Sequence, residues 1–243
     1  MSHEDTIPPV EEAPSVLETT FDHPAQLAEA LAESVAEDLR AAIAERSQAT
    51  LVLSGGTTPV HFLEALSRQL VPWHKVTVTL TDERWVGPES EASNERLIRQ
   101  KLLVGDAADA RFVALKTEAA SPEEGAAEVE TRLAALSRPF DVVVLGMGED
   151  GHIASLFPNH PALHPSGAKE RNLTLPVSRG EGPSRISLTL RALLDSRRII
   201  LLFTGEKKWQ TYRLALGRGP VSELPVRAIL GRGREPIDIY WSP

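Results

Sequence analysis

Four short runs constrain this chain more than any other feature: Thr50-Leu51-Val52-Leu53, Val76-Thr77-Val78-Thr79-Leu80, Asp141-Val142-Val143-Val144-Leu145 and Arg198-Ile199-Ile200-Leu201-Leu202-Phe203. They read as strands with no solvated face. A strand buried on both sides needs a cover on each, and parallel neighbours need crossovers long enough to hold a helix. The intervening segments supply such crossovers. From Pro24, residues Leu27, Leu31, Val35, Leu39 and Ile43 recur at helical spacing, with Glu29, Glu33, Glu37 and Arg40 between them and Asp22 as the candidate cap. Further helices are expected over 59–70, 94–103, 122–136 and 206–216, and further strands over 111–115, 186–190, 226–230 and 237–241. The β-then-α order predicts an α/β fold, a single domain with a doubly wound, mostly parallel sheet flanked by helices. Its expected extent is 20–243, preceded by a mobile acidic tail over 1–19, where Pro8, Pro9 and Pro14 punctuate a stretch without periodicity.

Composition removes several function classes. No cysteine is present, so disulfide frameworks, thiol nucleophiles, Cys-ligated zinc and iron–sulfur clusters are excluded. With 26 Lys+Arg against 34 Asp+Glu the formal charge is −8, which disfavours nucleic acid or an anionic membrane as partner. No apolar run approaches the ~20 residues of a membrane-spanning helix. The opening MSHEDTIPPVEEAP is unlike a signal peptide, so the expected setting is cytoplasmic. Monomer and dimer both stay open.

In open parallel sheets, ligands sit beyond the carboxyl ends of the strands. Three post-strand loops therefore matter. The first, Ser54-Gly55-Gly56-Thr57-Thr58-Pro59, offers backbone N–H groups, hydroxyls and a helix start to an anion, but it lacks the Lys of a Walker loop; a tight turn with a cap explains it equally well. The second, Thr81-Asp82-Glu83-Arg84-Trp85, is a site or a solvated charge cluster, with Trp85 a lid or a core residue and Ser93-Asn94 capping the next helix. The third is Gly146-Met147-Gly148-Glu149-Asp150-Gly151-His152.

That third loop contains G-x-G-x-x-G, yet the dinucleotide reading fails on context. Glu149 and Asp150 lie where pyrophosphate would sit, Pro158, Pro161 and Pro165 interrupt the required helix, and Glu170 is not at a strand end. What remains is a carboxylate and an imidazole, Asp150 and His152, able to serve as orienting group and general base. No spacing of histidines and carboxylates suggests a metal, and no cofactor is expected. Local positive charge for an anion would come from Arg84, Arg179, Arg185 and Lys208.

The motifs LSGGTTP, TDERWVGP, SNERL, GMGEDGHIASLFP, RISLTL and TGEKK, in this order from about Thr20 to the C-terminus, resemble the 6-phosphogluconolactonases of the glucosamine-6-phosphate isomerase/6-phosphogluconolactonase superfamily. The resemblance implies that superfamily's doubly wound sheet. It also implies metal-free hydrolysis of 6-phospho-D-glucono-1,5-lactone in the oxidative pentose phosphate pathway, with a sugar-phosphate lactone as the only partner. His152 then matches the base and Asp150 its acidic neighbour. Ser54, Gly55, Gly56 and Thr57 match the phosphate-side loop, and Arg84 and Lys208 match substrate cations, with Arg179 and Arg185 as further candidates. Asp82 matches a site acid of unassigned role. Two departures are mild: Ile153 replaces the usual threonine, and Arg185-Ile186-Ser187-Leu188-Thr189 replaces RITLT. The sister deaminases carry a Glu in the segment after the His, where this chain has Ser155, Leu156, Phe157 and Pro158. Related sugar-phosphate sensors add a helix-turn-helix, for which the acidic residues before Thr20 are too few.

Overall fold

In the computed structural model the described residues are 15–163, 172–178, 180, 182–230 and 236–243. In chain order the principal strands are β1 (Val16–Thr20), β2 (Ala49–Leu53), β3 (Val76–Leu80), β4 (Asp82–Arg84), β5 (Arg111–Phe112), β6 (Phe140–Gly146), β7 (Thr174–Val177), β8 (Arg185–Leu188), β9 (Ser196–Thr204) and β10 (Ile237–Ser242). The helices are α1 (Pro24–Arg46), α2 (Val60–Ser67), α3 (Asn94–Lys101), α4 (Pro122–Ala134), α5 (Leu190–Leu194), α6 (Glu206–Ala215) and α7 (Arg227–Leu230).

Seven strands form one sheet in the order β1-β10-β9-β6-β2-β3-β5, with every neighbouring pair parallel. All five residues of β2 are buried, as the two-sided cover anticipated from sequence requires. The chain winds outward from β2 to β3 and β5, then returns to place β6 on the other side of β2. This reversal opens a crevice between the ends of β2 and β6, where such sheets bind ligands.

Helix α1 follows its apolar pattern: Leu27, Leu31, Val35, Leu39 and Ile43 are buried, Pro24 fits the first turn, and Ser47 ends the helix in the left-handed region at φ 64°. The capping position is His23, not Asp22, because the chain turns into the helix directly at Pro24.

Other expectations need correction. Val16–Thr20, which lies inside the expected tail except for Thr20, is an outer strand of the sheet, pairing in register with β10 from Val16↔Ile237 to Thr20↔Trp241. Residues 1–14 of that tail lie outside the described residues. The run over 226–230 is the helix α7 rather than a strand; a short buried apolar run carries no period to separate the two. The Thr81–Trp85 segment is not a plain loop. Its residues Asp82–Arg84 pair antiparallel with β8, as β7 does, in a small second sheet ordered β4-β8-β7. Pro176 inside β7 is tolerated because β7 is an edge strand of that sheet.

Candidate active site

The loops after β2, β3 and β6 are stitched together before any ligand is considered. Ser54 donates its backbone N–H to Val144 O at 3.0 Å, and its Oγ accepts from Gly146 N at 3.0 Å and meets Thr81 Oγ1 at 3.0 Å. Beyond it the two glycines act differently. A Cβ on Gly55 would lie 1.9 Å from Asn94 Oδ1, so any side chain there has to displace the Asn94 amide. Gly56 has φ +94°, which only glycine adopts without strain, and a Cβ there would meet nothing.

After β3 the two acids turn inward, so the solvated-cluster reading falls. Asp82 Oδ2 accepts from Ser155 Oγ at 2.5 Å, Oδ1 accepts from Thr81 Oγ1 at 3.2 Å, and Arg185 Nη1 lies 3.6 Å from Oδ2. Glu83 is wholly buried and accepts from the backbone N–H groups of Arg84, Asn94 and Glu95 at 2.7–2.8 Å and from Ser93 Oγ at 3.1 Å. Burial pushes its carboxyl above the ordinary glutamate range against the opposing pull of those four bonds. The arrangement clamps the start of α3, whose cap is Ser93 Oγ, accepting from Arg96 N at 3.2 Å. Trp85 is a packing residue: its indole donates to Ala119 O at 3.0 Å and its ring leaves no room for a side chain on Gly125.

The loop after β6 folds back on itself through Gly148 N to His152 O at 2.9 Å and Gly151 N to Gly148 O at 3.0 Å. Asp150 Oδ1 accepts from His152 N at 3.1 Å and faces ring Nδ1 at 2.5 Å. Gly148 is required by this pair, since a Cβ would fall 2.1 Å from Nδ1 and 2.7 Å from Asp150 Oδ1. Burial raises the Asp150 carboxyl, but the hydrogen bonds and charge of His152 outweigh it and hold the group below its ordinary value. The Phe157 ring centroid lies 4.6 Å from the imidazole centroid, and the Arg185 guanidinium carbon lies 5.4 Å from the Phe157 centroid. Helix α6 is tied to this loop by Thr211 Oγ1, which donates to Glu149 O at 2.8 Å. Burial depresses the Lys208 ammonium below the usual lysine range, opposed by Glu149.

One cleft gathers the sequence-predicted side chains and glycines Ser54, Gly55, Gly56, Thr57, Asp82, Arg84, His152, Arg185 and Lys208. Asp150 stands behind His152 rather than in the wall. Arg179 lies outside the described residues. The sequence reading missed Asn94, Ser155 and Met147; Asn94 and Met147 line the cleft and Ser155 supports it from beneath. Asn94 was hidden by its place beside a helix cap, and Ser155 by lying in a motif read only for its histidine. Three cations, Arg84, Arg185 and Lys208, face one carboxylate, Asp82, so the cleft is locally positive in a chain of net charge −8. Among the described residues no three His, Cys, Asp or Glu side chains converge as a metal site, and no helix is long and apolar enough to cross a membrane.

Residues 22–241 match the family model of glucosamine-6-phosphate isomerases/6-phosphogluconolactonase. A Rhizobium meliloti (strain 1021) protein named 6-phosphogluconolactonase is 44% identical over 227 residues, spanning 92% of this chain and 97% of its own. One of the same name from Pseudomonas aeruginosa is 46% identical over 225 residues, 90% and 92% of the two chains. The crystal structure of a 6-phosphogluconolactonase from Shewanella baltica OS155 superposes with a TM-score of 0.90 at 39% identity, covering 97% of this chain and all of that one.

Proposed function

Since the chain belongs to the glucosamine-6-phosphate isomerase/6-phosphogluconolactonase family, we propose that it hydrolyses 6-phospho-D-glucono-1,5-lactone to 6-phospho-D-gluconate in the oxidative pentose phosphate pathway. The observation that carries the reading is the Asp150–His152 pair, whose imidazole stands in the wall of a cationic cleft. With Nδ1–H given to Asp150, Nε2 keeps its lone pair and is free to act as general base.

In this reading Nε2 removes a proton from water as its oxygen attacks C1 of the lactone. The tetrahedral oxyanion then collapses, the bond from C1 to the ring oxygen breaks, and that oxygen takes the proton back from the imidazolium to leave as an alcohol. The new carboxylic acid ionises. Asp150 carries no proton; it orients the ring and stabilises the imidazolium. The Ser54–Thr57 backbone, Arg84 and Lys208 hold the phosphate, with Arg185, and Arg179 from the sequence reading of local positive charge, as further candidate cations. The chemistry is complete without a metal or cofactor. Phe157, packed on the imidazole, supports the lactonase over the deaminase branch, because its ring cannot transfer a proton. A cytoplasmic setting fits a phosphorylated substrate, which at neutral pH carries nearly two negative charges.

The test is the rate of acid release from freshly generated 6-phosphogluconolactone, set against its spontaneous hydrolysis. A strong enzymatic rate with the phosphorylated lactone and a weak one with gluconolactone is expected. No rate above background refutes the proposal.

A further inference from the structure

We propose, on the basis of that reading, that Asn94 is a positioning residue: it holds the Arg84 guanidinium and seats the Gly55 loop against it, so that cation and loop meet the substrate anion as one unit. Asn94 is 2% exposed, and both ends of its amide are used. Oδ1 accepts from Arg84 Nη1 at 2.7 Å, while Nδ2 donates to the Asp82 carbonyl at 2.8 Å. The orientation of the amide follows from its partners, since a guanidinium only donates and a carbonyl only accepts. Its own backbone N–H is fixed by the buried Glu83 carboxylate at 2.8 Å, so the side chain stands on an immobile base.

Two further observations give the bracket a purpose beyond packing. Among the described residues Arg84 hydrogen-bonds through Nη1 alone, to Asn94 and to Ala92 O at 2.9 Å, and its shielded Nε has no hydrogen-bond partner. A guanidinium held through Nη1, with Nε shielded, keeps Nη2 for an anion. The same amide packs so closely on Gly55 that a methyl there would lie 1.9 Å from Oδ1 and 2.2 Å from Cγ. Asn94 thus touches both the cation and the loop that the proposed function assigns to the phosphate.

A double-mutant cycle separates this role from plain structural support. It uses Asn94→Ala, Arg84→Ala and the double variant, with kcat/KM on 6-phosphogluconolactone and calorimetric affinity for 6-phosphogluconate, which needs no turnover. Asn94→Ala should weaken both by about tenfold, the scale of one hydrogen bond to a charged group, mainly through KM. Added to Arg84→Ala it should cost clearly less than in the wild type, the remainder coming through the Gly55 loop. Equal losses in both backgrounds overturn the role of Asn94. Should Asn94→Ala fail to fold, Gly55→Ala displaces the amide sterically, and its loss should likewise shrink in the Arg84→Ala background; an undiminished loss refutes the inference. A wild-type protein inactive on the lactone refutes the proposed function and this inference together, whereas additivity in an active enzyme refutes only the latter.

Discussion

Replacing Asp150 by Asn keeps the shape of the side chain and removes its charge. In the wild type one oxygen, Oδ1, receives both the His152 backbone N–H at 3.1 Å and ring Nδ1 at 2.5 Å. A hydrogen bond to a charged partner contributes about 1.5–3 kcal/mol, but the side chains of His152 and Asp150 are 30% and 43% exposed, so solvent screens part of that. Taking about 1–2 kcal/mol as the share lost when the imidazolium forms, at about 1.4 kcal/mol per factor of ten, kcat should fall by about 5–30-fold. KM should change little, because Asp150 is not in the cleft wall. The assay is proton release in a pH-stat on freshly made lactone, corrected for spontaneous hydrolysis, with thermal melting as the control for folding. An Asp150→Asn variant at the wild-type rate would refute the orienting role. A loss as large as that of His152→Ala would refute it too, since an orienting group that water can partly replace cannot matter as much as the base it orients.

His152→Ala should lower kcat by about 10²–10⁴-fold with the melting temperature preserved, and near-normal kcat would remove it as the base. In that variant the Asp150 carboxyl should titrate higher than in the wild type, since the bonds and charge that hold it down are gone while burial remains; carbon-detected NMR reads the shift directly. For the wild type, the depressed Asp150 value means a stabilising contribution present in full above the unfolded carboxyl value of about 4 and lost as pH falls through the lower folded value, visible as a stability difference from His152→Ala that closes in acid. Lys208→Ala should cut kcat/KM for the phosphorylated lactone by about 10–100-fold and barely affect gluconolactone; equal losses on both would place Lys208 at the lactone end or in the fold. Exhaustive chelation should leave activity intact, and an EDTA-sensitive enzyme restored by one divalent ion would overturn the metal-free mechanism.

Elements whose signal is local were legible in the sequence. The apolar runs of β2, β3, β6, β9 and β10 and the 3.6-residue stripe of α1 carry their own period, and the post-strand loops follow from parallel topology. Elements defined by a distant partner were not. β4 exists because Asp82 meets Ser187, Glu83 meets Ile186 and Arg84 meets Arg185, about a hundred residues apart, and nothing within Asp-Glu-Arg announces a strand. β1 was folded into the tail because its residues after Val16 are exposed and show no buried face; only the ladder to β10 makes it a strand. The site divides in the same way. Asp150 and His152 are two residues apart and were found together, whereas Asn94, at the start of α3, reaches Gly55 in a loop and Arg84 in β4.

The reversal of winding at β2 also separates two inheritable properties. The segments after β2 and β3 supply Ser54, Gly55, Gly56, Thr57 and Arg84 to the cleft, and α6 adds Lys208 from the other side of β6. The loop after β6, across the crevice, supplies the acid–imidazole pair and Phe157. On the proposed reading, substitutions confined to the loop after β6 would alter the reaction while leaving the β2 and β3 share of the anion grip in place. The family model that the chain matches carries both isomerases and lactonases in its name, and the loop after β6 is where a protein engineer would begin to rewrite the reaction.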